Sequence, residues 1–147
     1  MIRFEIQDTD GQPVPMFIRP MSAGDINYVR SSWFRNYQPL AKVSGSTFAR
    51  FHPKLIDELL ASDDASTVIA CAEEDPTVIH GWACGEADGP LHFAYVPPNL
   101  RGRGIAKEMI QAVLGSYPNH INVTHRFVGR PDSRRFTFNP YILRVNA

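Results

Sequence analysis

The feature that most constrains this chain is a change of period between residues 91 and 126. Leu91-His-Phe-Ala-Tyr-Val96 is a short apolar run with aromatic residues, the pattern of a strand. Ile105, Ala106, Met109, Ile110, Val113 and Leu114 then mark one face of a helix predicted from about 103 to 115. Gly115 and Pro118 end it. His120 to Arg126, with Ile121 and Val123, again reads as a strand. A strand, a crossover helix and a second strand make a βαβ unit, so these two strands should be parallel neighbours.

The remaining segments fit around that unit. Asp8-Thr-Asp-Gly11 is a turn between two short stretches of strand in residues 1–15, and Met16–Pro20 reads as a strand end. Ser22 or Asp25 caps a first helix, whose buried stripe is predicted as Ile26, Val29, Trp33 and Tyr37. Residues 38–50 read as loop. Pro53 suits the first turn of a second helix, with Leu55, Ile56, Leu59 and Leu60 on its apolar face. Thr67–Ala72, Val78–Cys84 and Leu91–Val96 follow as three strands with short connections, an antiparallel meander. Phe136 to Val145 reads as a last strand interrupted by Pro140. The expected architecture is α/β with a mixed sheet of about six or seven strands flanked by about three helices.

Composition narrows the class. A chain of 147 residues suits one domain, and at 44% apolar and 20% charged it is not a disordered, collagenous or coiled-coil sequence. No apolar run approaches the ~20 residues of a membrane span. The first residues hold no apolar signal core, so the expected location is the cytoplasm, with no membrane partner. Cys71 and Cys84 lie in apolar stretches and are expected as reduced core thiols, with no spacing that suggests a metal site. The net charge is zero but uneven. Residues 55–100 hold nine acidic and no basic residues, whereas residues 101–147 hold eight basic and two acidic. Such blocks suggest ligands or faces of opposite sign.

The chemistry concentrates in Val96-Pro-Pro-Asn-Leu-Arg-Gly-Arg-Gly-Ile-Ala106, between a strand and an amphipathic helix. Two glycines let the backbone bend and approach a ligand without a Cβ in the way. The first amides of the helix lack internal partners, and with the helix dipole they suit a phosphate or diphosphate. Arg101 and Arg103 add positive charge. Gly104 is followed by Ile105-Ala106 rather than Lys-Ser/Thr, which excludes a Walker loop, and Lys107 stands where a dinucleotide fingerprint needs Gly or Ala.

These residues resemble the GNAT superfamily of N-acetyltransferases. Its acetyl-CoA signature, Arg/Gln-x-x-Gly-x-Gly/Ala after a strand ending Val-x-Pro, is matched by Arg101-Gly-Arg-Gly104-Ile-Ala106 after Val96-Pro-Pro98. Ile18–Asp25 is similar to the family's first strand-to-helix passage. A looser likeness, through Ser32-Trp33, Tyr37 and Leu91–Val96, is to small bacteriophage members. The resemblance implies one GNAT-like domain over residues 1–147, with 1–15 as an N-terminal hairpin or extension and 127–147 as a shortened, divergent C-terminal part. It implies acetyl-CoA bound by Arg101, Gly102, Arg103, Gly104, Ile105 and Ala106, with the pantetheine arm beside Ala94, Tyr95 and Val96. The Val96 amide is the candidate for polarising the thioester carbonyl.

Acyl transfer to an amine also needs a base. His92 is the first choice, since strand alternation would put it on one face with Ala94 and Val96. Glu86 and Asp88, just before this strand, are rivals, and the acidic middle third could border a cationic acceptor. The family's usual Asn and Tyr positions are absent after residue 126, where 127–135 are too short for a full helix. Tyr141, then Tyr117, are the substitutes for a general acid. The leading expectation is an N-acetyltransferase acting on a small-molecule amine or a protein lysine by direct attack, no cysteine being placed as a nucleophile. The alternative is a degenerate CoA-binding or protein-interaction module. Nucleic-acid binding through Arg126, Arg130, Arg134, Arg135 and Arg144, with Phe127, Phe136 and Phe138 interleaved, is disfavoured by a pI near 7.0. A homodimer is left open.

Overall fold

The computed structural model of the protein describes residues 2–126 and 134–145. Seven strands form one sheet in chain order: β1 (Ile2–Gln7), β2 (Pro13–Pro20), β3 (Ser66–Ala72), β4 (Gly81–Gly85), β5 (Leu91–Tyr95), β6 (Ile121–Val123) and β7 (Phe136–Phe138). Strands β1 to β5 run antiparallel, and β5–β6 and β6–β7 are parallel. The hairpin β1–β2 turns on Asp8, whose Oδ1 accepts the amides of Asp10 and Gln12, each at 2.9 Å.

Helices cover both faces. On one face α3 (Ile105–Leu114) buries Ile105, Met109, Ile110, Val113 and Leu114 against Met16, Ile18, Ala83, Leu91 and Val123. On the other, α1 (Ile26–Tyr37) and α2 (Gly45–Ala61) enclose an aromatic core of Trp33, Tyr37, Phe48, Trp82 and Phe93. Trp33 stacks on Phe93 with centroids 5.8 Å apart, and its neighbour Ser32 accepts the Trp82 indole N–H at 2.8 Å. Strand alternation explains the division. Ala83 and Ala94 face α3 while Cys84 and Phe93 face the aromatic side.

The entry into α1 is tied by Asp25. Its carboxylate takes two hydrogen bonds from Arg19, at 2.6 and 2.9 Å, and caps the turn through the amide and hydroxyl of Ser22. The Arg19 guanidinium, first through its hydrogen bond, holds the Asp25 carboxyl well below the usual carboxylate range.

Several elements depart from expectation. The helix predicted to open at Pro53 begins at Gly45, where the Ser44 hydroxyl accepts the Thr47 amide, so Pro53 lies inside α2. An interior proline loses one backbone bond, and burial of Phe48, Ile56 and Leu59 offsets that cost. Ile26 is 36% exposed, and Ser32 takes the place expected for it in the buried stripe of α1. β4 starts at Gly81 rather than Val78, and β6 spans Ile121–Val123 alone. After β7 the chain turns at Pro140 into a short helix, α4 (Ile142–Val145), instead of continuing as a strand.

Candidate active site

The glycine corner precedes α3. Gly102 and Gly104 both have positive φ, +80° and +87°, and a Cβ built on either meets nothing within 4 Å. Only glycine takes up this conformation without strain, and here it leaves the corner facing open space. Gly104 is the N-cap of α3 and carries no side chain to satisfy the helix's first amides. The first helical bond is donated by the Glu108 amide to the Gly104 carbonyl at 3.2 Å, so the amides before it have no partner within the helix. Arg101 donates from Nε to the Val96 carbonyl at 2.8 Å, which lays its guanidinium against the end of β5 and leaves its terminal nitrogens outside that bond. Arg103 donates from its terminal nitrogens to the Gln7 and Asn99 carbonyls, at 2.7 and 3.5 Å, and so ties the corner to β1.

The sheet opens beside this corner. Leu91 opposite Val123 is the one residue pair joining β5 to β6 among the described residues. The Thr124 amide donates to the Leu91 carbonyl at 3.1 Å, and the ladder goes no further. Strand β5 carries an extra residue here: Gly85 opposes Leu91 while Cys84 opposes Phe93. His92 is that bulged residue. Glu86 donates its amide to the Pro90 carbonyl, so alternate residues of β4 from Glu86 to Trp82 face β5. Ala83 therefore turns away, and its opposite number Ala94 directs its peptide groups toward the opening, followed by Val96.

The bulge overturns one expectation. His92 does not share a face with Ala94 and Val96. Ala94 and Val96 belong to the α3 side, whereas His92 lines a cavity with Leu55, Glu58, Leu59, Ser62, Asp64 and Glu86 on the α2 side. Its side chain is 1% exposed. Burial lowers its pKa to about 4, so the imidazole is neutral at pH 7. Nε2 lies 3.0 Å from Glu86 Oε2, an ion-pair distance off the line of a hydrogen bond. Burial, and then the charge of Asp64, raises the Glu86 pKa.

On its other side His92 begins a chain of polar groups. Nδ1 shares a hydrogen bond with Thr124 Oγ1 at 3.0 Å, and that oxygen shares one with His125 Nδ1 at 2.9 Å. His125 Nε2 in turn lies 3.1 Å from His52 Nε2 on α2. Burial lowers the His52 pKa to about 4, and burial followed by the charges of His52 and His92 holds His125 well below the usual imidazole value. Tyr37 packs against both rings, and its hydroxyl accepts the Arg126 amide at 3.1 Å. His52, Thr124 and His125 carry no signal in the sequence, because only the fold brings residues 52, 92 and 124 together.

The other predicted residues are dispersed. Asp88 donates its amide to the Leu114 carbonyl at the far end of α3 and lines a different cavity, with Ser116 and His120, so it does not join Glu86. Tyr117 packs between Lys107 and Arg135, beyond the C-terminal end of α3. Tyr141 is 66% exposed, next to Pro140, which lines the cavity beside His52. Both cysteines are buried and free, and burial pushes the Cys84 thiol up to about 11, which suits neither for nucleophilic attack. The shortened stretch expected at 127–135 falls mostly outside the described residues, as do Phe127, Arg130 and the side chain of Arg144. Among the described residues no cluster of His, Cys, Asp and Glu could hold a metal ion, and no helix is long and apolar enough to cross a membrane.

A diphosphate-bearing cofactor fits this arrangement. The corner lacks a capping side chain, keeps open the space a Cβ would enter, and has a guanidinium beside it. The opened edge of β5 offers main-chain groups to an extended arm.

The model of the acetyltransferase (GNAT) family matches residues 29–136. No curated protein sequence matches the chain. Among solved structures, the chain is similar to aminoglycoside N-acetyltransferase AAC(6')-Iy in complex with CoA, at 25% identity over 66% of this chain and 65% of that one, with a TM-score of 0.47. It thus spans just under two thirds of that protein's length. The same enzyme with a bisubstrate analogue gives 19% identity over 89% and 86% of the two chains and a TM-score of 0.49. The GNAT domain of S. lividans PAT gives 15% identity over 77% and 70%, with a TM-score of 0.40.

Proposed function

Because the chain belongs to the acetyltransferase (GNAT) family, we propose that it is an acetyl-CoA-dependent N-acetyltransferase acting on a primary amine, either a small molecule or a protein lysine. The observation that carries this reading is the glycine-opened corner standing beside a sheet that parts after a single β5–β6 pair. Acetyl-CoA, when bound, supplies an acetyl thioester, so that the amine nitrogen gains the acyl carbon and loses one proton while the sulfur loses the acyl carbon and gains one.

The chain's own residues then have distinct tasks. The amides from Gly102 to Ala106 and the Arg101 guanidinium hold the diphosphate. The main chain of Ala94 and the amide of Val96 would pair with the pantetheine arm, the Val96 carbonyl being already bonded to Arg101, and the Val96 amide would supply a donor for the carbonyl as it develops negative charge. Tyr95, between them, points its ring into the aromatic core and positions the strand. Binding both substrates side by side supplies proximity and orientation. Attack requires a neutral amine, since an alkylammonium has a pKa near ~10.4 and no lone pair. His92 is too deeply buried to touch an acceptor directly, so it passes the proton on, toward Glu86. Tyr141 is the side chain proposed to protonate the leaving thiolate, and a thiol of pKa about 8.5 leaves tolerably without such help.

Two measurements test this. Isothermal titration with acetyl-CoA should show saturable binding, and a thiol-release assay over a panel of primary amines should show turnover that needs both substrates. Binding without turnover on any amine would leave a CoA-binding module. Absence of binding at millimolar acetyl-CoA would remove the enzymatic reading.

A further inference from the structure

The polar chain running through the aromatic core joins two cavities of opposite character. The first, about 390 Å³, is lined by Phe48, Phe51, His52, Leu55, His125 and Leu143, and its described lining includes no Asp, Glu, Lys or Arg. It lies at the lip of the sheet opening, since Thr124 and His125 follow directly on the last paired residue of β6. The second, about 170 Å³, holds three carboxylates, Glu58, Asp64 and Glu86, with His92 in its wall. Between them run His52, His125, Thr124, His92 and Glu86, each within 3.1 Å of the next. Every imidazole in the series is held neutral by burial, so each ring has one N–H and one bare nitrogen.

Hydrogen-bond counting gives this series two self-consistent arrangements. In one, His52 Nε2–H donates to His125 Nε2, His125 Nδ1–H to Thr124 Oγ1, and the Thr124 hydroxyl to His92 Nδ1, which leaves the proton of His92 on Nε2, 3.0 Å from Glu86 Oε2; this last contact must turn into line before a proton crosses it. In the other every proton has moved one place along, and Glu86 is protonated. A proton arriving at His52 Nδ1 thus converts the first arrangement into the second and emerges on the Glu86 carboxylate, with no imidazolium left behind. The raised affinity of Glu86 for a proton suits it to the receiving end. The cavity at the other end, whose described lining carries no charged side chain, favours an amine entering as its free base, because that lining offers an ammonium no counter-charge.

We propose that His52, His125, Thr124, His92 and Glu86 form a proton relay that carries the proton given up by the acceptor amine from the apolar cavity to the acidic one. This rests on the acetyltransferase reading for the source of the proton, though not for the connectivity of the relay. His52 is the catalytic residue in the sense of touching the acceptor. Thr124, His125 and His92 pass the proton on, and Glu86 delivers it to solvent. Among the described residues, the groups facing the series are Tyr37 from α1, Phe48 from α2, Trp33 and Phe93 in the core, Arg126 beside Tyr37 and Phe138, and Glu58 and Asp64 at the acidic end.

Thr124 is the link whose removal is cleanest to read. Thr124→Val keeps shape but cannot pass a proton, whereas Thr124→Ser keeps the hydroxyl. Turnover of the full chain with acetyl-CoA and its best amine should fall about 100-fold in kcat for Thr124→Val and for Glu86→Gln, with KM for acetyl-CoA unchanged, the scale of a lost acid–base group. Thr124→Ser should stay within about threefold of the parent. A second readout needs no turnover: nitrogen NMR of the imidazoles reports which ring nitrogen bears the proton. The tautomer balance of His52 should respond to the ionisation of Glu86 as pH is varied, and lose that response in Thr124→Val. If His52 ignores Glu86 in the parent protein, or if Thr124→Val keeps more than half the parent kcat, the relay is wrong. Should no amine turn over while acetyl-CoA binds, the NMR response alone decides the relay, and calorimetry separately decides the cofactor reading. Should Thr124→Val fail to fold, Glu86→Gln against the parent decides it.

Discussion

Replacing Gly104 by alanine separates backbone strain from ligand contact. Gly104 has φ +87° and ψ 4°, in the left-handed region, and an added Cβ meets nothing within 4 Å. No packing clash follows, so the stability cost is the strain of a left-handed alanine, roughly 1–2 kcal/mol. For a chain of this size that lowers Tm by roughly 3–6 °C. Gly11 provides a matched control: φ is +76°, an added Cβ there also meets nothing within 4 Å, and the residue lies in the β1–β2 turn. Gly104→Ala and Gly11→Ala should therefore melt at similar temperatures, while their behaviour toward acetyl-CoA differs. In Gly104→Ala the new methyl occupies the space kept open at the N-cap of α3, and Kd should rise at least about tenfold, which is about 1.4 kcal/mol. In Gly11→Ala it should not change. Differential scanning calorimetry and isothermal titration on the two variants and the parent give both quantities. Equal affinity for acetyl-CoA in the two variants, with equal melting, would refute the assignment of the diphosphate to this corner.

Arg101→Glu should abolish measurable acetyl-CoA binding by titration calorimetry while leaving far-UV circular dichroism intact, since it places a carboxylate where the free guanidinium nitrogens stand. Asp25→Asn should lower stability by about 2–3 kcal/mol at pH 7 in urea unfolding, because it leaves the part-buried Arg19 without its counter-charge. The Asp25 carboxyl titrates lower when folded, so its contribution is present above the unfolded value of about 3.9 and is lost as pH falls below it. The gap between parent and Asp25→Asn should accordingly narrow between pH 5 and pH 2. Tyr141→Phe should reduce kcat by about tenfold or more if the hydroxyl protonates the thiolate, with the loss greatest for poor leaving groups; unchanged kcat in the thiol-release assay would remove that role.

Much of this protein is written locally in its chain. The glycine corner is legible because left-handed backbone and an uncapped helix start are properties of a few adjacent residues, Arg101 to Ala106. The parallel pairing of β5 with β6 is legible because a helix between two strands admits that neighbourhood almost alone. Even the uneven charge has a local trace, in that Glu58, Asp64 and Glu86 of the acidic third meet around one cavity. What the chain alone leaves undecided depends on register and packing. The one-residue bulge at His92 arises from how β5 pairs with β4, and it moves that side chain from the α3 face to the α2 face. Pro53 reads as a helix start, yet burial of Phe48 draws the helix back to Gly45 and with it places His52 against His125. The chemistry between the two cavities is therefore a property of the tertiary structure. It needs residues 52, 86, 92 and 124 at hydrogen-bonding or ion-pair distance, and no local preference of the backbone encodes a distance between residues so far apart in sequence.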